Sequence, residues 1–188
     1  NRPMFDGSQL NIIGNPDNPG NVEISVTGAN AFLVDAAGAK VRIEGVKISG
    51  DVGIWARYGA VVFLTGKNAF GACPFRHIGA DNGAFVEMLG GQISIDGAAP
   101  HHLYADAGGH IFYALGSVEI SGTPTFSFGF AYAQTTGLIT SYGINWSGSA
   151  SGPRYQATLN GVINVNGAGA TYFPGDGAGT VANGGQYA

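Results

Sequence analysis

Residues 53–71, GIWARYGAVVFLTGKNAFG, and residues 78–97, IGADNGAFVEMLGGQISIDG, are two copies of one pattern. It precedes them as FLVDAAGAKVRIEGVKISG (32–50) and follows them as LYADAGGHIFYALGSVEISG (103–122) and, more loosely, FAYAQTTGLITSYGINWSG (130–148). Repeats of about 20–50 residues mark a solenoid, in which each unit buries its apolar face only against its neighbours. One glycine column runs through Gly38, Gly59, Gly83, Gly109 and Gly137, and a second through Gly45, Gly66, Gly90, Gly116 and Gly143. A third, at Gly50, Gly71, Gly97, Gly122 and Gly148, closes each unit. Spacings within a unit are nearly constant, so variable length collects in one corner. Glycine turns a corner at positive φ without steric cost. Short fixed strands between such corners describe a three-sided coil.

Alternation within the strands sends Val41 and Ile43, Val62 and Leu64, Val86 and Met88, and Phe112 and Ala114 inward. With a partial coil before Gly28 and another at 155–167, the chain makes about seven coils, a rod of about 30 Å at the ~4.8 Å rung spacing. The expected fold is therefore all-β: a right-handed parallel β-helix (solenoid), 1–152, followed by a glycine-rich C-terminal trimerisation and cap segment, 153–188. An antiparallel sandwich does not explain glycine columns that keep register. A left-handed helix of hexapeptide repeats needs a six-residue period that is absent.

Composition agrees. Glycine supplies 33 of 188 residues without a collagen period, and 45% hydrophobic residues fill a continuous core. Only 11% of residues are charged, so the surface is built from Ser, Thr, Asn, Gln, Gly and aromatics, which suits glycans or other subunits. A net charge of −4 with no Lys/Arg cluster leaves no footprint for a nucleic-acid backbone. No apolar run approaches the ~18 residues that cross a bilayer, so no membrane insertion is expected. The single Cys73 forms no intramolecular disulfide and reads as a small buried hydrophobe. The start at Asn1, without an initiator methionine, makes a processed C-terminal fragment the expectation.

The outward residues of the strand between the first two glycine columns begin as Lys40, Arg42 and Glu44. They then read Val61, Phe63 and Thr65, next Phe85, Glu87 and Leu89, and finally Ile111, Tyr113 and Leu115. An outward apolar band at Val61, Phe63, Phe85, Leu89, Ile111, Tyr113 and Leu115 predicts an oligomer interface. The strand before the third glycine carries Glu23, Lys47, Asn68, Ser94, Glu119 and Asn145 outward, a solvated face on which Glu23 and Lys47 are placed to pair.

The ending GPRYQATLNGVINVNGAGATYFPGDGAGTVANGGQYA, with coils of the VEISG type and a start of the NIIGNPDNPGNVEIS type, resembles the C-terminal part of bacteriophage and prophage tail fibre and tail spike proteins. The likeness covers essentially the whole chain and is most specific from about Gly152 to Ala188. It implies a homotrimer at the distal end of a virion tail fibre or spike, joined to other tail proteins through a missing N-terminal part. It also implies a host surface polysaccharide or other receptor as partner, and no cofactor. The rival from the enzyme class is a polysaccharide depolymerase, a glycan hydrolase or lyase. A free-standing cellular adhesin, a third possibility, predicts a stable monomer.

Glycoside hydrolysis needs two carboxyl groups about 5–9.5 Å apart. Asp81 and Asp106 hold similar positions in successive coils and Glu87 interrupts the apolar strand, which makes these three the catalytic candidates. Asp81 and Asp106 also suit turn capping. His77 and His102 align in successive coils beside His101, and are the candidate metal ligands, without a firm ligand spacing. Of the aromatics outside the core pattern, Trp55, Tyr58, Tyr104 and Trp146 are the candidates for stacking on sugar rings; Phe126, Phe128, Phe130 and Tyr132 accompany them. The glycine-rich stretches lack the Lys-Ser/Thr of a phosphate loop.

Overall fold

The computed structural model describes residues 9–188. The described chain passes through three parallel sheets in turn as it winds through a β-solenoid of about seven turns. Sheet A stacks Leu10–Ile13, Lys40–Glu44, Val61–Leu64, Phe85–Leu89, His110–Ala114, Leu138–Tyr142, Val162–Asn164 and Gln186–Tyr187. Sheet B stacks Glu23–Ser25, Lys47–Ser49, Lys67–Phe70, Gln92–Ile95, Ser117–Ile120 and Asn145–Ser147. Sheet C stacks Phe32–Asp35, Val52–Arg57, Arg76–Asp81, His101–Asp106, Gly129–Ala133, Tyr155–Ala157 and Thr180–Val181. A single 3-10 turn, Pro19–Asn21, is the only helical element among the described residues.

Inside the coil, columns of identical or similar side chains stack rung on rung. Val41, Val62, Val86, Ile111 and Ile139 form one such column on sheet A, and Ile54, Ile78 and Leu103 form one on sheet C. All are nearly or wholly buried. From Phe70 onward the core carries aromatic rings: Phe70, Phe126, Phe130 and Phe173 are each 1% exposed or less. Sheets A and C continue across residue 152 without a break, because Tyr155–Ala157 pairs with Gly129–Ala133 and Val162–Asn164 with Leu138–Tyr142. The glycine-rich ending thus adds rungs to the same coil, and Tyr187 stacks on Tyr155 with ring centroids 3.7 Å apart.

The corner between sheets C and A is a four-residue turn whose two central residues both have positive φ, closed by an i to i+3 hydrogen bond, the type I′ geometry. It recurs as Arg57–Ala60, Asp81–Ala84, Asp106–Gly109 and Gln134–Gly137, with central pairs Tyr58–Gly59, Asn82–Gly83, Ala107–Gly108 and Thr135–Thr136. Gly109 is therefore the counterpart of Ala84, not of Gly83. Its place demands a small residue for another reason, since a Cβ there would lie 2.0 Å from the Ala80 carbonyl oxygen.

That offset corrects the expected outward band. The register pairs Phe85 with His110 and Val86 with Ile111, so Ile111 and Tyr113 point into the core, at 0% and 1% exposure. His110 and Phe112 take their outward places, and Phe112 is not the inward residue that alternation counted from Gly109 suggested. The same offset puts Leu115, at φ 57°, in the left-handed corner position that Gly90 and Gly143 occupy in neighbouring coils. Val61, Phe63, Phe85 and Leu89 do face outward, and Leu138 and Val162 extend the band.

Sheet B needs two similar corrections. Asn68 pairs with Ile93 and is 1% exposed, donating to the carbonyls of Thr65 and Ile43, while Ala69 stands in the outward column. Lys47 bonds Asp96 (2.6 Å), not Glu23, which instead accepts from the Ser49 hydroxyl (3.3 Å).

Candidate functional site

The outer face of sheet C gathers the chemistry. One outward column runs Leu33, Trp55, Gly79, Tyr104, Tyr132 and Gln156; the column beside it runs Asp35, Arg57, Asp81 and Asp106. Residues in register on adjacent rungs lie about 4.8 Å apart along the solenoid, so Asp81 and Asp106 are immediate neighbours. Gly79 leaves a gap in the aromatic column, and Arg76 lies across it, its guanidinium 3.9 Å from the Tyr104 ring centroid and 5.3 Å from that of Trp55. A Cβ at Gly79 would come within 2.9 Å of the Arg76 Cδ, so the small residue is what admits the arginine.

Hydrogen bonds tie the face together. Trp55 Nε1 donates to Asp81 Oδ2 (2.6 Å), and Arg76 approaches the same oxygen at 3.7 Å. Tyr104 donates to Asp106 Oδ2 (3.1 Å), and Gln134 donates to both the Tyr104 hydroxyl (2.8 Å) and Asp106 Oδ2 (3.1 Å). Tyr132 donates to Gln134 Oε1 (2.8 Å) and stacks on His101 at 4.8 Å. At the rim, Arg57 lies 4.6 Å over both the Trp55 and the Tyr58 rings. Tyr58 and Phe128 are the open aromatics there, at 49% and 58% exposure.

Burial raises the Asp81 carboxyl above its usual range, and Asp106 adds to the rise; the Trp55 hydrogen bond and Arg76 and Arg57 work against it. His101 is pushed down to about 4, chiefly by burial and then by Arg76. Burial and the nearby Asp106 likewise raise the Tyr104 phenol. Asp106 caps its own turn by accepting the Ala107 N–H (2.7 Å). Asp81 Oδ1, by contrast, is buried with no partner, as are Arg57 Nε, Arg76 Nη1 and His101 Nδ1. Buried polar groups are almost always satisfied, and four unsatisfied atoms converge on this one face.

Of the residues expected from sequence, Trp55, Tyr58, Tyr104, Asp81 and Asp106 come together here. Glu87 does not: it lies on sheet A between Phe63 and Phe112. Trp146 pairs with Val118 on sheet B and packs against the core with Phe130 and Tyr113. Phe126 and Phe130 are core as well. His77 and His102 point inward, both fully buried, with Nδ1 atoms 3.0 Å apart and His102 Nε2 3.2 Å from the Tyr113 hydroxyl. They bond each other through Nδ1, and His77 Nε2 is buried without a partner; among the described residues no cluster of three or more potential ligands occurs. Sequence reasoning missed Arg57, Arg76 and Gln134, named His101 only beside the candidate metal ligands, and named Tyr132 only among the accompanying aromatics. Arg57 stands two residues before Gly59 as Asp81 stands before Gly83, a signal that was available.

Comparison of the chain with protein-family models, with curated proteins and with solved structures found no match.

Tyr58 and Phe128 offer half-exposed apolar ring surface, of the kind that can pack on the C–H face of a pyranose, and carboxylate and guanidinium groups like those beside them can bind vicinal hydroxyls by charge-assisted hydrogen bonds.

Proposed function

We propose that this chain is a receptor-binding element of a phage or phage-like tail fibre or spike, which engages a host surface glycan through the outer face of sheet C. The observation that carries the glycan reading is the convergence of four unsatisfied buried polar atoms beside Trp55 and Tyr104. The fibre reading rests on the sequence likeness of the coils and of the glycine-rich ending. A right-handed winding belongs to the same reading, since parallel strands joined by crossovers favour that hand. So does a homotrimer: Val61, Phe63, Phe85, Phe112, Leu138 and Val162 form an outward apolar band on sheet A that a closed three-fold assembly would hide on every subunit. Sedimentation at micromolar concentration is expected to give a trimer, and Phe63→Asp with Phe112→Asp a monomer; a monomeric wild type contradicts the trimer.

A second reading, polysaccharide depolymerase, is favoured by one feature. Asp81 is a carboxyl held towards its protonated form beside Asp106, and a proton donor paired with a second carboxylate is what glycosidic cleavage requires. Incubation with host envelope glycans separates the two. The receptor reading predicts binding without new reducing ends, whereas turnover that Asp81→Ala or Asp106→Ala abolishes would establish the enzyme.

A further inference from the structure

Sheet B stops early. Its last strand is Asn145–Ser147, while sheets A and C each gain two more strands beyond that level. Where a seventh strand of sheet B would lie, residues 165–179 run irregularly and fold Tyr172 and Phe173 back on Trp146, at ring-centroid separations of 5.7 and 5.9 Å. A notch of about 620 Å³ remains, lined among others by Trp146, Arg154, Tyr172, Phe173, Pro174 and Asp176.

Three of these side chains hold unspent polar capacity. Trp146 Nε1 is buried without an acceptor. Arg154 uses Nη1 on the Gly177 carbonyl (3.0 Å), which fixes the guanidinium and leaves Nη2 uncommitted. Asp176 accepts the Gly152 N–H at Oδ1 (2.7 Å), leaving its second oxygen uncommitted. An indole N–H buried without an acceptor is a standing penalty that a ligand carbonyl would relieve.

We propose that this notch binds a single saccharide unit carrying an acetamido group. The acetamido carbonyl is the acceptor that the Trp146 indole lacks, and its methyl group packs against the surrounding rings. Asp176 accepts from the sugar hydroxyls and Arg154 donates to them, while Tyr172 and Pro174 supply the apolar wall for the ring's C–H face. A plain hexose offers neither the carbonyl nor the methyl, so a site built around an unsatisfied donor discriminates against it. The notch is distinct from the sheet C face and does not rest on that reading.

The chain's two tryptophans, Trp55 and Trp146, report the two sites separately. Proton–nitrogen correlation spectra of the full chain, with the indole signals assigned through Trp55→Phe, would be followed during titration with N-acetylglucosamine and N-acetylgalactosamine, and with glucose as the control. The expected result is a saturable shift of the Trp146 indole signal, in the millimolar range, by at least one acetamido sugar and none by glucose. Arg154→Ala and Asp176→Asn should each weaken that binding by roughly tenfold while the chain stays folded. A shift at Trp55 alone, no shift at Trp146 with either acetamido sugar, or an equal shift with glucose would each overturn the proposal.

Discussion

Replacing Tyr113 by aspartate will unfold the chain, whereas the same substitution one residue earlier, at Phe112, will leave the coil folded. Tyr113 is 1% exposed, stands in register between Met88 and Ser141, and meets His102 through its hydroxyl. A carboxylate there would sit among aromatic rings with no cation to pair with, a loss of about 3–5 kcal/mol or more against a total stability of about 5–15 kcal/mol. Phe112 faces outward on sheet A, where aspartate loses only strand propensity and cross-strand packing, about 1 kcal/mol. Denaturant melts of the two variants, with sedimentation run separately to follow any change of assembly, make the comparison. A stable Tyr113→Asp beside an unfolded Phe112→Asp would mean that the strand is in the opposite register.

Acid will destabilise the solenoid from its core outward. Burial pushes His77 from its ordinary 6.5 down to about 3 and His102 well below its ordinary value, with the neighbouring His77 adding to the lowering at His102. Against these two imidazoles pack Phe70, Phe126, Phe130 and Tyr113, none of which compensates a positive charge. A histidine whose folded-state pKa lies below its unfolded value contributes stability that is present in full above pH 6.5 and lost as the pH falls towards the folded value. Each contributes up to about 1.4 kcal/mol per pH unit in that window, so two contribute up to about 3 kcal/mol per unit. His101, lowered to about 4, acts in the same direction. Asp81 acts oppositely, since its raised carboxyl favours the folded state as pH falls, and it offsets part of the loss. Melting temperature should be flat above about pH 7 and fall steeply between about pH 6 and pH 4. His77→Phe with His102→Phe, which keeps ring-shaped side chains at both places, should flatten that fall. An equally steep profile in the double variant would show that the acid sensitivity lies elsewhere.

The solenoid itself was legible because spacing and alternation, which set fold class, do not depend on knowing which glycine does which job. Register does depend on it. Gly83 is needed for its positive φ and Gly109 for the close approach of the Ala80 carbonyl, yet both read as the same glycine in a column. Taking them as equivalent shifts one strand by a residue, and a one-residue slip turns every side chain to the other face. Ile111 and Tyr113 were misplaced for that reason, and Asn68 for the corresponding reason at Gly71. On sheet C the strands Val52–Arg57, Arg76–Asp81 and His101–Asp106 each end at the same turn, so Asp81 and Asp106 could be matched by counting back from it. Arg76 could not be found that way. It reaches the site across Gly79 from the far end of its strand, and side-chain reach of that kind is not written in periodicity.

Glycan binding on the outer face of sheet C, as proposed above, is tested most directly by affinity for a host envelope oligosaccharide. Calorimetric titration of the wild type against Trp55→Ala with Tyr104→Ala should show at least a tenfold loss of affinity, about 1.4 kcal/mol. Phe63→Asp with Phe112→Asp, on sheet A, should bind as the wild type does at each monomeric site. Unchanged affinity in the Trp55 and Tyr104 variant, with its fold intact, would contradict the claim.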